Sequence, residues 1–372
     1  MEIASFIAGT IFGAVIGYCI EKILDALGER VFSLRKRQYW QQAHRTWKKY
    51  ESLSYGLEVI QTGWKDGAFS EDQVVLTVDS TFELPREIAS NIRDRHIQEW
   101  ETNNLTNNQQ YGIAAIDPRR ISDEVAFQGS TSHELRIHGH ICKYFDFLST
   151  HRCLLPNAPQ DDRLFIESIL QRHGRHYLEP APEFPNQLSI GLSLFCEKGN
   201  CLVLTRRTKL PSSGGLWFGD TIFNAVGEMM TPTDTDSNNS QYEGSTRLSP
   251  WTTAKRGLFE EVGIRFQKGT DWIIVLHSLA WDNRILDYKF FGHIITPLSR
   301  GDVKQHWMAA PDRHESWELI FFDTSNKEQC LEIVRMIDEQ RSDWASEGIL
   351  CTIRSLLHLR KITPDELKRA LK

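Results

Sequence analysis

The sequence predicts a membrane-anchored α+β protein with one N-terminal transmembrane helix, a middle α+β region and a C-terminal α/β/α sandwich. Three observations support this prediction. The chain starts with an uncharged apolar run, its middle mixes short strand and helix patterns, and its last half has strands around one helix and two helices at the end. We place the parts at residues 1–21, 22–52, 53–182 and 183–372.

The composition and charge of the chain indicate a globular protein. Hydrophobic residues make up 40% and charged residues 25% of the 372 residues, which is typical of a chain with a sizeable core. The formal net charge of -6 argues against a nucleic-acid partner, because such proteins need a basic surface to displace counterions. Seven scattered cysteines without a CxxC pair predict reduced thiols and no structural zinc site.

Residues 3–20 contain no charged side chain and predict the membrane anchor. As a helix they span roughly 27 Å, which is close to the hydrocarbon core of a bilayer. Basic residues outnumber acidic ones over 22–52, which we interpret as a juxtamembrane helix. The positive-inside rule then predicts a single-pass protein of the cell inner membrane, with its C-terminal body in the cytoplasm. The alternatives are a cleaved signal peptide, disfavoured because the basic residues follow the run, and a buried core helix, disfavoured by the glycine content.

Three glycines of this run, Gly9, Gly13 and Gly17, stand four residues apart and share one face of the predicted helix. Small residues at this spacing let the backbones of two helices approach closely in lipid. We therefore predict packing between copies of the helix and a homo-oligomer. The alternative interpretation is that glycine is simply frequent in membrane helices.

The middle region has strand and helix patterns but no motif that indicates chemistry, so we assign it no role. Strands are predicted at 73–78 and 134–138, helices at 86–101, 142–148 and 164–173, and a polar loop at 103–110. Several prolines between 180 and 185 indicate the boundary to the C-terminal domain.

The C-terminal domain begins with a hairpin, predicted from two apolar runs on either side of a Lys-Gly-Asn turn. A helix follows at 249–262, and Gly263 ends it at the position after the C-cap. The remaining segments are predicted from their apolar patterns. Its strands are placed at 188–196, 201–206, 216–226, 272–279, 287–296 and 316–323, and its last helices at 328–340 and 347–359.

The helix at 249–262 contains a motif that resembles the second half of the Nudix box, Arg-Glu-U-x-Glu-Glu-x-Gly-U, where U is aliphatic. The matching residues are Arg256, Leu258, Glu260, Glu261, Gly263 and Ile264. The resemblance implies a Nudix-like nucleotide-binding domain over 183–372. In that family two adjacent glutamates at a helix end hold Mg²⁺, which binds a diphosphate. The expected metal ligands are therefore Glu260 and Glu261.

Two departures from the box separate this chain from a Nudix hydrolase. Gly257 stands where the family has a glutamate that acts as a metal ligand or base, and glycine has no side chain to replace it. The interval from Gly227 to Arg256 is 256 − 227 = 29 residues because of a polar insertion, so the upstream glutamate is either Glu228 or missing. We predict nucleotide binding without efficient cleavage, no catalytic residue and no required cofactor, with Mg²⁺ possible at the degenerate box.

The candidate ligand-binding residues are cations that can bind phosphate and aromatics that can stack on a base. They are Arg206, Arg207, Lys209, Trp217, Phe223 and Arg256. The alternative for each cation is a solvated surface position, and the alternative for each aromatic is the core.

An N-terminal membrane helix, a middle region and a Nudix-like domain resemble the architecture of membrane effectors of CBASS, the bacterial anti-phage systems that signal with cyclic oligonucleotides. This resemblance implies an antiviral protein that binds a cyclic nucleotide second messenger, oligomerises and disrupts the inner membrane in abortive infection. The alternatives are a membrane-tethered Nudix hydrolase of nucleoside diphosphate derivatives and a non-catalytic scaffold.

Overall fold

The structure, a computed structural model, describes most of the chain after residue 55. The described residues are 39, 42, 43, 46, 56–63, 67–103, 105–117, 134–155, 158–173, 180–208, 220–235, 247–267, 269 and 271–371. The chain divides into two compact units, Met1–Arg45 and Thr46–Lys372. The three described residues of the first unit are helical, and all elements named below belong to the second.

The described residues form strands and helices in an interleaved order. The strands are β1 (Leu57–Thr62), β2 (Val74–Thr81), β3 (Gln109–Ile116), β4 (Leu135–Lys143), β5 (Leu188–Cys196), β6 (Cys201–Arg207), β7 (Ile222–Asn224), β8 (Val226–Met229), β9 (Ile273–Asp282), β10 (Asp287–Ile295) and β11 (Ser316–Asp323). The α-helices of four residues or more are α1 (Asp94–Thr102), α2 (Tyr144–Ser149), α3 (Gln160–His173), α4 (Pro250–Val262), α5 (Arg300–Met308), α6 (Lys327–Glu339), α7 (Ser346–His358) and α8 (Pro364–Ala370).

A three-stranded sheet lies in the middle region, in the order β2-β4-β3. Strand β4 pairs in parallel with β2 and antiparallel with β3. The helix preceding β3 begins as an α-helical turn at Arg86–Ile88, continues as a π-helix over Ala89–Arg93 and becomes α1. Tyr111 of β3 connects the strands of this sheet, because its buried hydroxyl donates a hydrogen bond to the carbonyl of Thr77 on β2 at 3.0 Å.

The larger sheet has the order β1-β9-β10-β5-β6-β11, with β7 paired to β6 and β8 paired to β5. Strands β5 and β10 are parallel neighbours, and the other pairs are antiparallel. Strand β1 forms one edge, so the segment before residue 182 contributes a strand to the sheet of the C-terminal part. Periodicity could not reveal this pairing because the partner, β9, lies more than two hundred residues further along the chain.

Helices cover both faces of the larger sheet. Consecutive side chains of a strand point to opposite faces, and Phe290 packs in the same apolar cluster as Leu258 of α4, whereas Phe291 packs with Ile349 of α7. Every residue of β5 is buried, as expected for a central strand covered on both faces. The sheet therefore separates the α4 side of the domain from the α7 side.

Helix α4 begins and ends where its sequence predicts. The Ser249 side chain accepts a hydrogen bond from the Thr252 N–H, and Pro250 occupies the first turn, where its missing N–H has no intrahelical acceptor. Gly263 ends the helix in the left-handed conformation with φ of 73°. A Cβ there would lie 2.2 Å from the carbonyl oxygen of His306, so both conformation and space require glycine.

The predicted membrane-anchored fold class is corrected to a mixed α+β fold with two sheets. Among the described residues, no helix is long and apolar enough to cross a membrane. The longest described helix, α3, has 14 residues and measures about 21 Å, which is shorter than the hydrocarbon core of about 30 Å. The predicted localisation in the inner membrane is withdrawn on the same finding. Residues 3–20, with Gly9, Gly13 and Gly17, lie outside the described residues.

Candidate functional site

A cavity of about 640 Å³ opens beside the larger sheet. Its walls come from strands β5, β8 and β10 and from helices α4 and α7, with further contributions from β3 and α2 of the middle region. Two groups of charged side chains line it. The first surrounds Arg256 and Arg207 near the end of α4, and the second surrounds Lys289 of β10.

Three carboxylates of the first group, Glu228, Glu260 and Asp312, form what we call the acidic triad. Each offers one oxygen, and these oxygens all lie within 4.8 Å of one another. Glu228 is on β8, Glu260 is in the last turn of α4, and Asp312 is in the loop before β11. The backbone N–H of Asp312 donates to the carbonyl of Glu260 at 2.8 Å, which fixes the loop against the helix. An all-oxygen set suits a hard divalent cation such as Mg²⁺ or Mn²⁺.

Arg256 holds two members of the triad in place. Its Nη1 donates to Glu228 at 2.9 Å and to Glu260 at 2.7 Å. Its Nε and Nη2 bind Asp234 at 2.9 and 3.1 Å, and Nη2 also donates to the carbonyl of Met229 at 2.6 Å. Burial would lower the pKa of Arg256, but the hydrogen bond with Asp234 and the nearby charge of Glu228 raise it overall. The guanidinium therefore remains charged and orients both carboxylates. We call these four side chains, Arg256 with Glu228, Asp234 and Glu260, the Arg256 cluster.

Glu228 fills the space beside the glycine that interrupts the box. A Cβ at Gly257 would lie 2.4 Å from Cγ of Glu228 and 2.7 Å from Cγ1 of Val226. A side chain at 257 and the observed side chain of Glu228 thus exclude each other. The carboxylate beside position 257 therefore comes from the neighbouring strand β8 and not from α4 itself. Burial raises the pKa of Glu228 well above its usual range, with a further contribution from Glu261.

Arg207 and Glu261 form a buried pair behind the triad. The Arg207 Nη2 donates to Glu261 at 2.9 Å, its Nη1 donates to Glu315, and its guanidinium lies 4.7 Å from the centre of the Phe223 ring. Glu261 also accepts the backbone N–H of Gly227 at 2.5 Å. Burial raises the pKa of Glu261 to about 7, although Arg207 counteracts this effect. Glu261 therefore positions the start of β8 from behind.

The second charged group, which we call the Lys289 cluster, consists of Asp287, Lys289 and Glu347. The Lys289 ammonium donates to Glu347 and lies 3.9 Å from a carboxylate oxygen of Asp287. The hydroxyl of Ser189 donates to the same oxygen of Asp287 at 3.4 Å. Burial raises the pKa of Asp287 to about 7, and Lys289 partly offsets this shift.

The structure brings four of the sequence-predicted site residues to the cavity wall: Arg207, Phe223, Arg256 and Glu260. Arg206 is not among the residues that line the cavity; its Nη1 donates to the carbonyl of Asp220 at 3.1 Å. Glu261 lies behind the wall in the pair with Arg207. Lys209 and Trp217 are outside the described residues.

Sequence reasoning missed two members of the acidic triad as metal ligands. Glu228 was visible as an acidic residue upstream of the box, but the polar insertion obscured its alignment. Asp312 lies 312 − 260 = 52 residues after Glu260 in a loop without a motif, so no local signal could identify it. The Lys289 cluster is likewise formed by residues that are distant in sequence.

No protein-family model matches the chain, and no curated protein matches it in sequence.

Proposed function

We propose that the cavity binds a nucleotide that contains a diphosphate together with a divalent cation, and that it hydrolyses this diphosphate. The acidic triad is the observation that supports the proposal. Its oxygens converge within 4.8 Å although they come from a strand, a helix and a loop. The Gly257–Glu228 packing supports it further, because the acid absent from the helix is replaced from β8.

The charge balance around the triad also favours a cation. Two guanidiniums, those of Arg207 and Arg256, are surrounded by carboxylates that outnumber them. The carboxylates are Glu228, Asp234, Glu260, Glu261, Asp312 and Glu315. Like charges held at short distances in a partly buried site destabilise one another, and this repulsion contributes to the raised pKa of Glu228. A bound divalent cation lowers this repulsion.

The residues of the chain have separable roles in the proposed reaction. Glu228, Glu260 and Asp312 hold the cation, and Arg256 fixes the directions of the first two. A cation bound there neutralises charge on the diphosphate oxygens and on the transition state. Hydrolysis breaks one phosphorus–oxygen bond of the bridge, forms a bond from phosphorus to the oxygen of water, and releases the proton of that water to solvent.

Cation binding is tested by titrating Mn²⁺ into the full-length protein and measuring free Mn²⁺ by electron paramagnetic resonance. We expect the Glu228→Gln variant to bind Mn²⁺ at least about tenfold more weakly, since even outer partners of metal ligands change affinity by about 10–100-fold. Glu318→Gln is the matched control, because Glu318 is half-exposed on β11 and does not line the cavity. Equal affinities for all three proteins would remove Glu228 from the site.

Hydrolysis is tested with a panel of nucleoside diphosphate derivatives and Mg²⁺, by chromatographic detection of the two phosphomonoesters that cleavage of the bridge produces. We expect product from at least one substrate and its loss in Glu228→Gln. The absence of product across the panel, with Mn²⁺ binding intact, would contradict hydrolysis while leaving a cation-dependent binding site.

That second outcome favours the ligand-sensing function that the sequence resemblance implies. The observation in its favour is Gly257, which deprives α4 of a glutamate. Calorimetry with cyclic dinucleotides and analytical ultracentrifugation would then show tight binding without cleavage and ligand-dependent assembly of copies. Cleavage of a linear diphosphate without any affinity for cyclic nucleotides would exclude this second candidate.

A further inference from the structure

The Lys289 cluster has hydrogen-bond acceptors that the described part of the chain leaves unpaired. Asp287 is 5% exposed and Glu347 is 2% exposed. Within the described residues, Oδ1 of Asp287 and Oε2 of Glu347 have no hydrogen-bond partner. Buried carboxylate oxygens without partners are unfavourable, so they are uncommon unless a ligand, an ion or water completes them. Both residues line the cavity, as does Lys289.

The position of the cluster relates it to the acidic triad. Lys289 of β10 pairs in register with Ser189 of β5. Ser189 in turn pairs in register with Met229, the residue after Glu228 on β8. Neighbouring strands are separated by about 4.8 Å, so the backbone of Lys289 lies roughly 10 Å from that of Met229. Consecutive side chains of a strand point to opposite faces, so Ser189 and Lys289 face the α7 side of the sheet and Glu228 faces the α4 side. Both clusters nevertheless line the same cavity and occupy separate places in it.

The chemistry of the cluster restricts the group that it can bind. Two carboxylates accept hydrogen bonds, and one ammonium donates them. The edge of guanine presents the complementary set, with an amino group and a ring N–H beside a carbonyl oxygen. Adenine presents an amino group beside ring acceptors and has no ring N–H or carbonyl on that edge, and uracil presents a single N–H between two carbonyls. Neither base therefore offers two donor groups beside a carbonyl oxygen.

We propose that the Lys289 cluster is the base-specificity site of this cavity and that it selects guanine through Asp287 and Glu347. The proposal rests on the proposed function, because it assumes that the diphosphate of the same nucleotide lies at the acidic triad. It adds residues that contact the base rather than the phosphates. A site built to hydrogen-bond a ligand rejects analogues that lack the donor, because its own buried groups then remain unpaired.

The first experiment compares four ligands by calorimetry with the full-length protein and Mg²⁺. The ligands are the α,β-methylene diphosphates of guanosine, inosine, adenosine and 2′-deoxyguanosine, which resist hydrolysis. We expect the guanosine compound to bind at least about tenfold more tightly than the inosine compound, which lacks only the amino group. The deoxy compound should bind within about twofold of guanosine. Equal binding of guanosine and inosine, or a loss confined to the deoxy compound, would overturn the proposal.

The second experiment uses Asp287→Asn and Glu347→Gln, with thermal melting to select conditions in which each variant is folded. We expect both to lose the preference for guanosine over inosine while binding Mg²⁺ and pyrophosphate as the parent does. Glu318→Gln is again the control. If either variant keeps the full preference, that residue is not in the base site.

Failure of this proposal and failure of the proposed function give different results. Binding of Mg²⁺ and pyrophosphate without any preference among bases would contradict the base site alone. If the parent binds neither Mg²⁺ nor pyrophosphate, the proposed function fails, and the base site is judged with guanosine and inosine as free nucleosides. Equal affinity for these two nucleosides would overturn it on its own.

Discussion

The Arg256 cluster and the Lys289 cluster contain the same kinds of side chain, but they differ in how many of their polar atoms have hydrogen-bond partners. Each surrounds one cation with carboxylates beside the same cavity. In the Arg256 cluster all three guanidinium nitrogens donate hydrogen bonds, so the carboxylates are fixed in direction. In the Lys289 cluster two carboxylate oxygens have no partner among the described residues. A completed cluster can hold ligands for a cation in place, whereas an incomplete one is suited to accept donors from a ligand.

The largest expected effect comes from removing the cation of the more deeply buried cluster. In Lys289→Met, the carboxylate of Glu347 loses its charged partner while it remains almost inaccessible to solvent. Breaking a buried pair by removing one partner costs about 3–5 kcal/mol. We expect the free energy of unfolding, measured with urea, to fall by that amount.

The double variant Lys289→Met with Glu347→Leu is the control for this interpretation. Replacing both members of a buried pair by apolar groups is often neutral or stabilising, so most of the stability should return. A double variant that is as unstable as Lys289→Met would show that packing around β10, and not the lost charge pair, causes the effect.

The next effect concerns the space shared by Gly257 and Glu228. A Cβ at 257 would lie 2.4 Å from Glu228, so Gly257→Ala must displace that side chain. We expect a loss of about 1–3 kcal/mol of stability from overpacking. We also expect Mn²⁺ to bind about tenfold more weakly, because a displaced Glu228 no longer holds its carboxylate in the direction that the cation requires.

An exchange of the two side chains gives a sharper test. Glu228→Ala with Gly257→Glu places a carboxylate on α4 and removes the nearest obstructing atom, Cγ of Glu228, so that only Val226 has to shift. We expect this double variant to bind Mn²⁺ more tightly than either single variant. If the double variant is the weakest of the three, the carboxylate at 228 does not replace one at 257.

The contrast between the clusters also explains what the sequence could predict. Arg256 and Glu260 belong to one turn of one helix, so a local motif indicated both of them and the ends of α4. Asp234 and Asp312 lie beside these residues in the fold, but they come from a loop after β8 and a loop before β11. No periodic sequence pattern predicts such a contact. The pairing of Lys289 with Glu347 depends on α7 packing against β10, which only the tertiary structure determines.

The fold shows the same division between local and distant information. Helix α7 was predicted from its apolar pattern at 347–359, and it spans Ser346–His358. Strand β1 was not predicted, and its place at the sheet edge depends on pairing with β9. Helix α5 was also missed: its sequence is mostly polar, so apolar periodicity gave no signal, although Ser299 and Asp302 form a capping box at its start.

A smaller effect is expected in the pH dependence of stability. Burial raises the pKa of Asp287 to about 7, above its ordinary value of about 3.9. Between these values the folded state binds the proton and the unfolded state does not, so stability falls as pH rises. Asp287→Asn removes this dependence. The free energy of unfolding of the variant, relative to that of the parent, should increase by about 2 kcal/mol from pH 5 to pH 8. Urea unfolding at each pH measures this difference. A constant difference would show that Asp287 is ionised throughout.

The smallest expected effect concerns a third buried polar group, which consists of three histidines on the α7 side of the sheet. His277, His293 and His358 are neighbours, with ring centres of His293 and His358 5.1 Å apart. Burial lowers the pKa of His277 and of His293 well below the usual range, and the nearby His358 lowers both further. For His277, the charge of Arg354 adds to the same effect.

The pH dependence of stability expected from these histidines has the opposite sign to that expected from Asp287. Below about pH 6.5 the unfolded state binds protons that the buried imidazoles do not, so stability falls as pH decreases. His293→Leu removes one such group. We expect the parent to lose about 1 kcal/mol more than the variant between pH 7.5 and pH 5.5, measured by thermal or urea unfolding. Parallel pH profiles would mean that His293 is protonated in the folded state, and the α7 side would then contain a buried cation, as the Arg256 and Lys289 clusters do.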